Sequence, residues 1–111
     1  MALLSSSSAG VLAIEDLPDG SRMLHLEGVL DFNTVPALNA HATGAFDGHE
    51  HIVVDMGRVS NSNSAGLALL LEWCRLARRG GARFQVRHLP GTLRNIARLC
   101  ELEQLLPEAA P

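Results

Sequence analysis

The feature that most limits the fold is an uninterrupted apolar strand pattern that leads, through a polar segment, into a long amphipathic helix. Residues His51–Met56 (HIVVDM) lack polar–apolar alternation, which is typical of a strand covered on both faces. The polar segment Gly57–Asn63 predicts a loop, and Ser64–Arg79 predicts a helix that Gly80 and Gly81 end. A central strand followed by such a helix indicates an α/β fold.

Shorter patterns on either side complete the expected architecture. Val11–Ile14 and Arg22–Glu27 flank a Pro-Asp-Gly turn and predict a β-hairpin. The other predicted elements are a helix from Asn33 or Thr34 to about Ala45, a strand at Arg83–Arg87, a helix at Pro90–Leu99 and a short segment at Leu102–Leu106. The order is β-β-α-β-α-β-α, which predicts a mixed β-sheet with helices packed on it.

Length and composition favour one domain with an aliphatic core. Of the 111 residues, 47% are hydrophobic but only 4% are aromatic. Residues 11–107 hold all the predicted elements and form the expected domain. Residues 1–10 lack the pattern of a secretory signal and predict a disordered leader, while residues 108–111 predict a short tail.

Charge and hydropathy disfavour two classes of partner. The net charge is −3 and the arginines are interleaved with Leu and Ala, so we expect no nucleic-acid binding. Apolar runs such as Leu67–Leu71 are far shorter than the roughly 20 residues that cross a bilayer. We therefore expect no direct membrane insertion and a cytoplasmic location. Cys74 and Cys100 predict buried, reduced thiols.

No residue pattern predicts catalysis, a cofactor or a metal centre. The sequence lacks a phosphate-binding loop, a dinucleotide fingerprint and a nucleophile elbow, so we expect no catalytic residues and no cofactor. His49 and His51 could chelate a metal, but no third ligand is near in sequence, which favours a solvated loop. His25 and His88 are expected in strands and His41 on the first helix, without functional roles.

The polar residues before the long helix allow two interpretations. Several residues of Ser60–Ser64 can act as its N-cap, which would make it an ordinary core helix. Alternatively, the backbone N–H groups and the positive end of the helix dipole at Ser64 would stabilise a phosphate or a partner's acceptor.

Helical geometry places more residues beside Ser64. At 100° per residue, Ala68, Leu71 and Arg75 lie on its side of the helix. They predict a shallow apolar patch bordered by charge, as in a docking surface for a partner. The opposite side, expected to face the sheet, holds Gly66, Leu69, Leu70, Trp73, Cys74 and Ala77.

Two segments resemble the STAS family (sulphate transporter and anti-sigma factor antagonist domains). Gly28–Asp31 (GVLD) is similar to the family's Gly-Glu-Leu-Asp element, with Val29 in place of Glu. Val53–Ala68 follows the family pattern of a hydrophobic strand, Asp, a short loop and then Asp-Ser-Ser/Gly-Gly-Leu-Gly/Ala. The resemblance covers nearly the whole chain after Gly10 and implies the STAS (SpoIIAA-like) fold.

The resemblance also implies a role for the helix start. Ser64 matches the phosphorylated Ser or Thr of anti-sigma factor antagonists, which implies an anti-sigma factor kinase as one partner. Asn63 stands where those proteins usually carry Asp, and Ala65 where they often carry a second Ser. The Asn keeps the capping ability but lacks the negative charge next to the hydroxyl.

A closer resemblance is to the STAS subunits of Mla phospholipid-transport ABC systems, the MlaB subfamily. It rests on Gly66–Leu71, Ala77–Gly81 and Leu106-Pro107. It implies a non-enzymatic subunit, peripheral to the inner membrane, that binds and supports the ABC ATPase subunit (MlaF-like). The complete system would maintain outer-membrane lipid asymmetry by intermembrane phospholipid transport. The expected partner-binding residues are Asn63, Ser64, Ala65, Ala68, Leu71 and Arg75, with Ser64 also the candidate phosphorylation site.

Overall fold

Five strands and three helices make up the part of the chain that the computed structural model describes, residues 2–6 and 10–109. The strands are β1 (Ala2–Ser6), β2 (Gly10–Asp16), β3 (Arg22–Leu30), β4 (His51–Ser62) and β5 (Arg83–Arg87). The helices are α1 (Val35–His41), α2 (Ser64–Arg79) and α3 (Gly91–Leu99), followed by one 3-10 turn at Glu103–Leu105.

The strands pair in chain order, and the sheet is mixed. β1, β2 and β3 pair antiparallel, whereas β3, β4 and β5 pair parallel, with α1 and α2 as the crossovers. The predicted α/β fold and the order β-β-α-β-α-β-α are confirmed from β2 to α3. Because β3, β4 and β5 are parallel, their C-terminal ends meet at one end of the sheet, which we term the carboxyl edge.

The helices cover one face of the sheet and enclose the core. The predicted inner side of α2 is confirmed, since Gly66, Leu69, Leu70, Trp73, Cys74 and Ala77 are all buried. The Trp73 indole is fully buried, its Nε1 donates to Asn39 Oδ1 at 3.0 Å, and its ring centroid lies 5.7 Å from that of Phe46. The packed strand residues on this face include Leu24, Leu26, Ile52, Val54, Met56, Phe84 and Val86.

The opposite face of β4 differs from the expectation of a strand covered on both sides. His51 and Asp55 are half-buried there, and only Val53 is enclosed, at 5% exposure. Val53 pairs in register with Met23 and Gln85, whose side chains flank it. Neighbouring side chains, and not a second layer of helices, therefore cover the middle of the apolar run.

Both terminal expectations need correction. Ala2–Ser6, expected within a disordered leader, pairs antiparallel with β2, and Gly10 already belongs to β2. Main-chain pairing at a sheet edge does not require a run of large apolar side chains. The expected tail also contacts the sheet: next to the bond from Val86 N to Pro107 O (2.9 Å), at the end of the expected domain, Ala109 N in the tail donates to Val86 O at 2.8 Å. Residues 1, 7–9 and 110–111 lie outside the described residues.

Three further boundaries differ from the predictions. β4 continues through most of the expected loop to Ser62, because the long β3 supplies backbone partners as far as Leu30. α1 ends at His41, well before the expected Ala45. Cys74 is buried as expected, but Cys100 is exposed because it follows the last turn of α3. No helix among the described residues has the length and hydrophobicity needed to cross a membrane.

Candidate functional site

Helix α2 begins at the carboxyl edge, and Asn63 forms its N-cap. Asn63 has an extended backbone, its Oδ1 accepts from Ala65 N at 2.8 Å, and its carbonyl accepts from Gly66 N at 3.0 Å. Asn63 N in turn donates to Leu30 O at 3.1 Å, which joins the helix start to the end of β3. The predicted capping is confirmed, and two of the first N–H groups of α2 already have acceptors within the chain.

Gly66 allows the first turn of α2 to pack closely against the sheet. A methyl group at this position would collide with Ser62 Oγ and would lie 3.3 Å from Leu30 Cβ. Ser62 Oγ is itself engaged, because it donates to the Asn63 carbonyl at 3.0 Å. The glycine is therefore required by close packing at the site, and not by an unusual backbone angle.

Most of the predicted partner-binding residues reach solvent, and one does not. Ser64, Asn63, Ala68 and Arg75 are exposed, and Leu71 is half-buried against the core. Ala65 is only 3% exposed. It follows Ser64 in the helix, and the rotation of about 100° per residue directs its side chain toward the packed core. Its expected place in the contact is therefore corrected. The docking surface, as we use the term below, consists of Asn63, Ser64, Ala68, Leu71 and Arg75.

The charge of Arg75 is balanced within α2. Its Nη2 lies 2.7 Å from Glu72 Oε1, and its Nε lies 3.0 Å from Oε2. The hydrogen bond from Arg75 lowers the pKa of Glu72, and the same bond raises the pKa of Arg75. Both side chains are exposed, so the pair adds little to stability. It does hold the guanidinium along the helix, which reduces the net charge of the docking surface.

A second polar cluster lies on the sheet face opposite the helices. Asp55 Oδ1 accepts from Gly57 N at 2.9 Å and lies 3.2 Å from His88 Nδ1, while Oδ2 lies 3.5 Å from His25 Nδ1. His25 Nε2 lies 2.9 Å from Glu15 Oε1. Burial raises the pKa of Asp55, but the Gly57 N–H and the His88 ring outweigh it and lower that pKa overall.

Sequence patterns did not indicate this cluster, because its members come from separate strands. The strand register brings two of them together, since His25 pairs with Asp55 across β3 and β4. His88 follows β5, not within a strand as expected, and has a left-handed backbone (φ 57°). The adjoining cavity of about 360 Å³ is lined by Ala13, His25, Leu26, Glu27, Asp55 and Arg58.

The remaining histidines have separate surroundings. His49 Nδ1 lies 3.1 Å from the Gly20 carbonyl, and His51 Nε2 lies 2.6 Å from Gln85 Oε1. His41 occupies the last turn of α1. Within residues 2–6 and 10–109, no group of three His, Cys, Asp or Glu side chains is arranged to hold a metal ion.

Comparisons with known proteins agree with this geometry. Residues 14–107 match the family described as "Mlab, STAS domain". An anti-sigma factor antagonist from Mycobacterium paratuberculosis is similar in structure, with 24% identity and a TM-score of 0.79 over 97% of this chain and 92% of the other. The Bacillus cell-fate determinant SpoIIAA in its phosphorylated form has 20% identity and a TM-score of 0.67, over 89% and 91% of the two chains.

A third similar structure is a STAS domain of an antisigma-factor antagonist from Rhodobacter sphaeroides. It has 25% identity and a TM-score of 0.62, over 73% of this chain and 88% of the other. A search of curated proteins found no match. Since the family match spans most of the residues that build the sheet, α2 and its N-cap, the chain belongs to the STAS domain family.

Proposed function

We propose that this STAS domain is a non-catalytic subunit that binds and supports the ATPase of an Mla-type ABC transporter. In that role it lies in the cytoplasm, peripheral to the inner membrane through its MlaF-like partner. The assembled system maintains outer-membrane lipid asymmetry by moving phospholipids between membranes. The partner hydrolyses the ATP.

The observation that carries this proposal is the match of residues 14–107 to the family described as "Mlab, STAS domain". The geometry at the start of α2 supports a constitutive contact. Asn63 already accepts from the Ala65 amide and, through its carbonyl, from the Gly66 amide, so the helix start does not depend on an added anion. Ser64 and Ala68 are exposed small residues that let a partner approach the helix closely.

The proposal is tested by placing a charged side chain on the docking surface. Ala68→Glu is expected to weaken binding to the purified ATPase subunit by roughly tenfold or more, because it buries an unpaired carboxylate at the contact. The matched control is Ala40→Glu, which alters an exposed helical alanine on α1 outside the docking surface. Titration calorimetry gives the affinities, and ATP hydrolysis by the complex reports the functional effect.

The comparison between the two alanines decides the outcome. Weakened binding by Ala68→Glu alone, with Ala40→Glu equal to wild type, supports the proposal. Wild-type protein that fails to bind the ATPase, or Ala68→Glu protein that is folded and binds fully, contradicts it.

A second candidate is an anti-sigma factor antagonist that an anti-sigma kinase phosphorylates at Ser64. Two of the similar structures are anti-sigma factor antagonists by their descriptions, and a third is the phosphorylated form of a cell-fate determinant. Ser64 is exposed and therefore open to a kinase. A phosphate there would add about −1.5 to −2 charges to a surface whose Arg75 is already paired, and would reverse a contact with an acidic partner.

Mass spectrometry after incubation with an anti-sigma kinase tests this alternative. Phosphate at Ser64 in the wild type, its loss in Ser64→Ala and its retention in Ser60→Ala are the expected results. Ser60 is the matched control because it is an exposed serine near the end of β4, outside the docking surface. If Ser64 remains without phosphate after prolonged incubation with active kinase, the alternative is contradicted.

A further inference from the structure

Phe32 differs from every other aromatic residue of this aromatic-poor chain. The sequence holds three Phe and one Trp. Phe46, Trp73 and Phe84 are at most 3% exposed, whereas Phe32 is 71% exposed. Exposure of a phenyl ring to water is unfavourable, and at this position no burial in the core offsets that cost. Single exposed apolar residues are common, so the surroundings of Phe32 decide whether it has a role.

The loop that carries Phe32 is held by side-chain hydrogen bonds on both sides of it. Asp31 Oδ1 accepts from Asn33 N at 2.8 Å and from Thr34 N at 3.0 Å. Thr34 Oγ1 accepts from Asp31 N at 2.9 Å and donates to Val29 O at 2.8 Å. Phe32 is therefore presented on a fixed turn, so little loop entropy is lost when a partner covers it.

This turn lies beside the docking surface. Leu30 pairs with Ser62 at the ends of β3 and β4, and its carbonyl accepts from Asn63 N at 3.1 Å. Phe32 is two residues after Leu30, and Ser64 is one residue after Asn63. Both follow the C-terminal ends of neighbouring parallel strands, so they stand on the same carboxyl edge.

We propose that Phe32 is an aromatic anchor that extends the docking surface and enters an apolar pocket on the ATPase partner. This inference rests on the proposed function, because it names the same partner. A rigid exposed aromatic next to small polar residues is typical of the few side chains that supply most of the binding energy at an interface. The adjacent Asp31 carboxylate favours a pocket that has a basic group at its rim.

The test compares two exposed apolar residues, of which only one adjoins the docking surface in the chain. Leu99 is 85% exposed and is the last residue of α3, outside the docking surface. Phe32→Ala is expected to weaken binding to the purified ATPase subunit by roughly tenfold or more, and Leu99→Ala to leave it unchanged. Since both side chains are exposed, both variants are expected to fold, which circular dichroism verifies.

A photo-crosslinking arm locates the contact directly. Benzoylphenylalanine replaces Phe32 in one protein and Leu99 in another, and each is irradiated with the purified ATPase. Crosslinking from position 32 to apolar residues of the ATPase, with none from position 99, supports the anchor.

Each other outcome overturns a defined statement. Wild-type affinity in Phe32→Ala, equal losses in both alanine variants, or equal crosslinking from both positions overturns the anchor and leaves the proposed function standing. Failure of the wild-type chain to bind the ATPase overturns the proposed function, and the anchor with it.

Discussion

Replacing Gly66 with alanine tests whether the start of α2 depends on close packing against the sheet. Alanine is favoured over glycine in a helix by about 1 kcal/mol, so propensity alone predicts stabilisation. Against this, the new methyl group must displace Ser62 Oγ, whose hydrogen bond to the Asn63 carbonyl contributes about 1 kcal/mol. It would also lie 3.3 and 3.4 Å from two carbons of the buried Leu30.

Overpacking of this kind costs about 1–3 kcal/mol, so we expect Gly66→Ala to lower the free energy of unfolding by about 1–3 kcal/mol. Urea unfolding followed by tryptophan fluorescence measures this, because Trp73 is the sole tryptophan and is fully buried. Combining Gly66→Ala with Ser62→Ala removes the hydroxyl that collides. The free energy of unfolding of the double variant is therefore expected to be about 1 kcal/mol higher than the value obtained by adding the two single-variant changes.

Gly91→Ala is the matched control, because a methyl group at this first residue of α3 meets no atom within 4 Å. It is expected to be neutral or to stabilise by about 0.4–1 kcal/mol. The reasoning is refuted if Gly66→Ala is as stable as the wild type. It is also refuted if Ser62→Ala leaves the cost of Gly66→Ala unchanged.

Three other predictions concern stability. Asn63→Ala removes the N-cap and is expected to cost about 1 kcal/mol in urea unfolding, while Asn63→Asp retains most of it; equal stability of wild type and Asn63→Ala would contradict the capping role. Asp55 has a lowered pKa in the folded state, so it stabilises the fold above about pH 4 and this contribution disappears as the pH falls through the folded pKa. Asp55→Asn should therefore flatten the stability–pH curve in that acidic range, and an unchanged curve from pH 6 to pH 2 would show that the carboxylate is not responsible. Asn39→Leu leaves the buried Trp73 Nε1 without its acceptor, so it is expected to lower the free energy of unfolding by about 1–3 kcal/mol and to shift the tryptophan emission. Wild-type stability and emission in this variant would show that the hydrogen bond does not stabilise the fold.

The sequence predicted those elements whose stability depends on a regular apolar pattern. The bounds of α2 and its buried side follow from residues such as Leu70 and Trp73, which recur at helical spacing and are enclosed in the core. The bounds of β5 follow from the polar–apolar alternation of Arg83–Arg87. The N-cap was predictable for a different reason, because the Asn63 side chain acts locally on the amide of Ala65.

Features that depend on pairing between distant segments were not predictable in this way. The end of β4 from Gly57 to Ser62 is polar and exposed over most of its length, but backbone pairing with β3 makes it a strand. The contacts of Asp55 with His25 and His88 likewise depend on which strands are neighbours. Within the candidate site, the helical wheel predicted that Ser64, Ala68 and Arg75 share one side of α2, and all three are exposed. Neither the wheel nor the resemblance indicated the burial of Ala65 or the pairing of Arg75 with Glu72.

The contact of Val86 with Pro107 and Ala109 bears on how this domain can associate with other chains. Open sheet edges recruit extended peptides by adding a strand, and they also promote aggregation. The Val86 N–H and carbonyl, which an incoming strand would need, already bind the Pro107 carbonyl and the Ala109 amide of the same chain. The chain thus occupies the β5 side of its own sheet at Val86, which disfavours strand addition by another chain at that side.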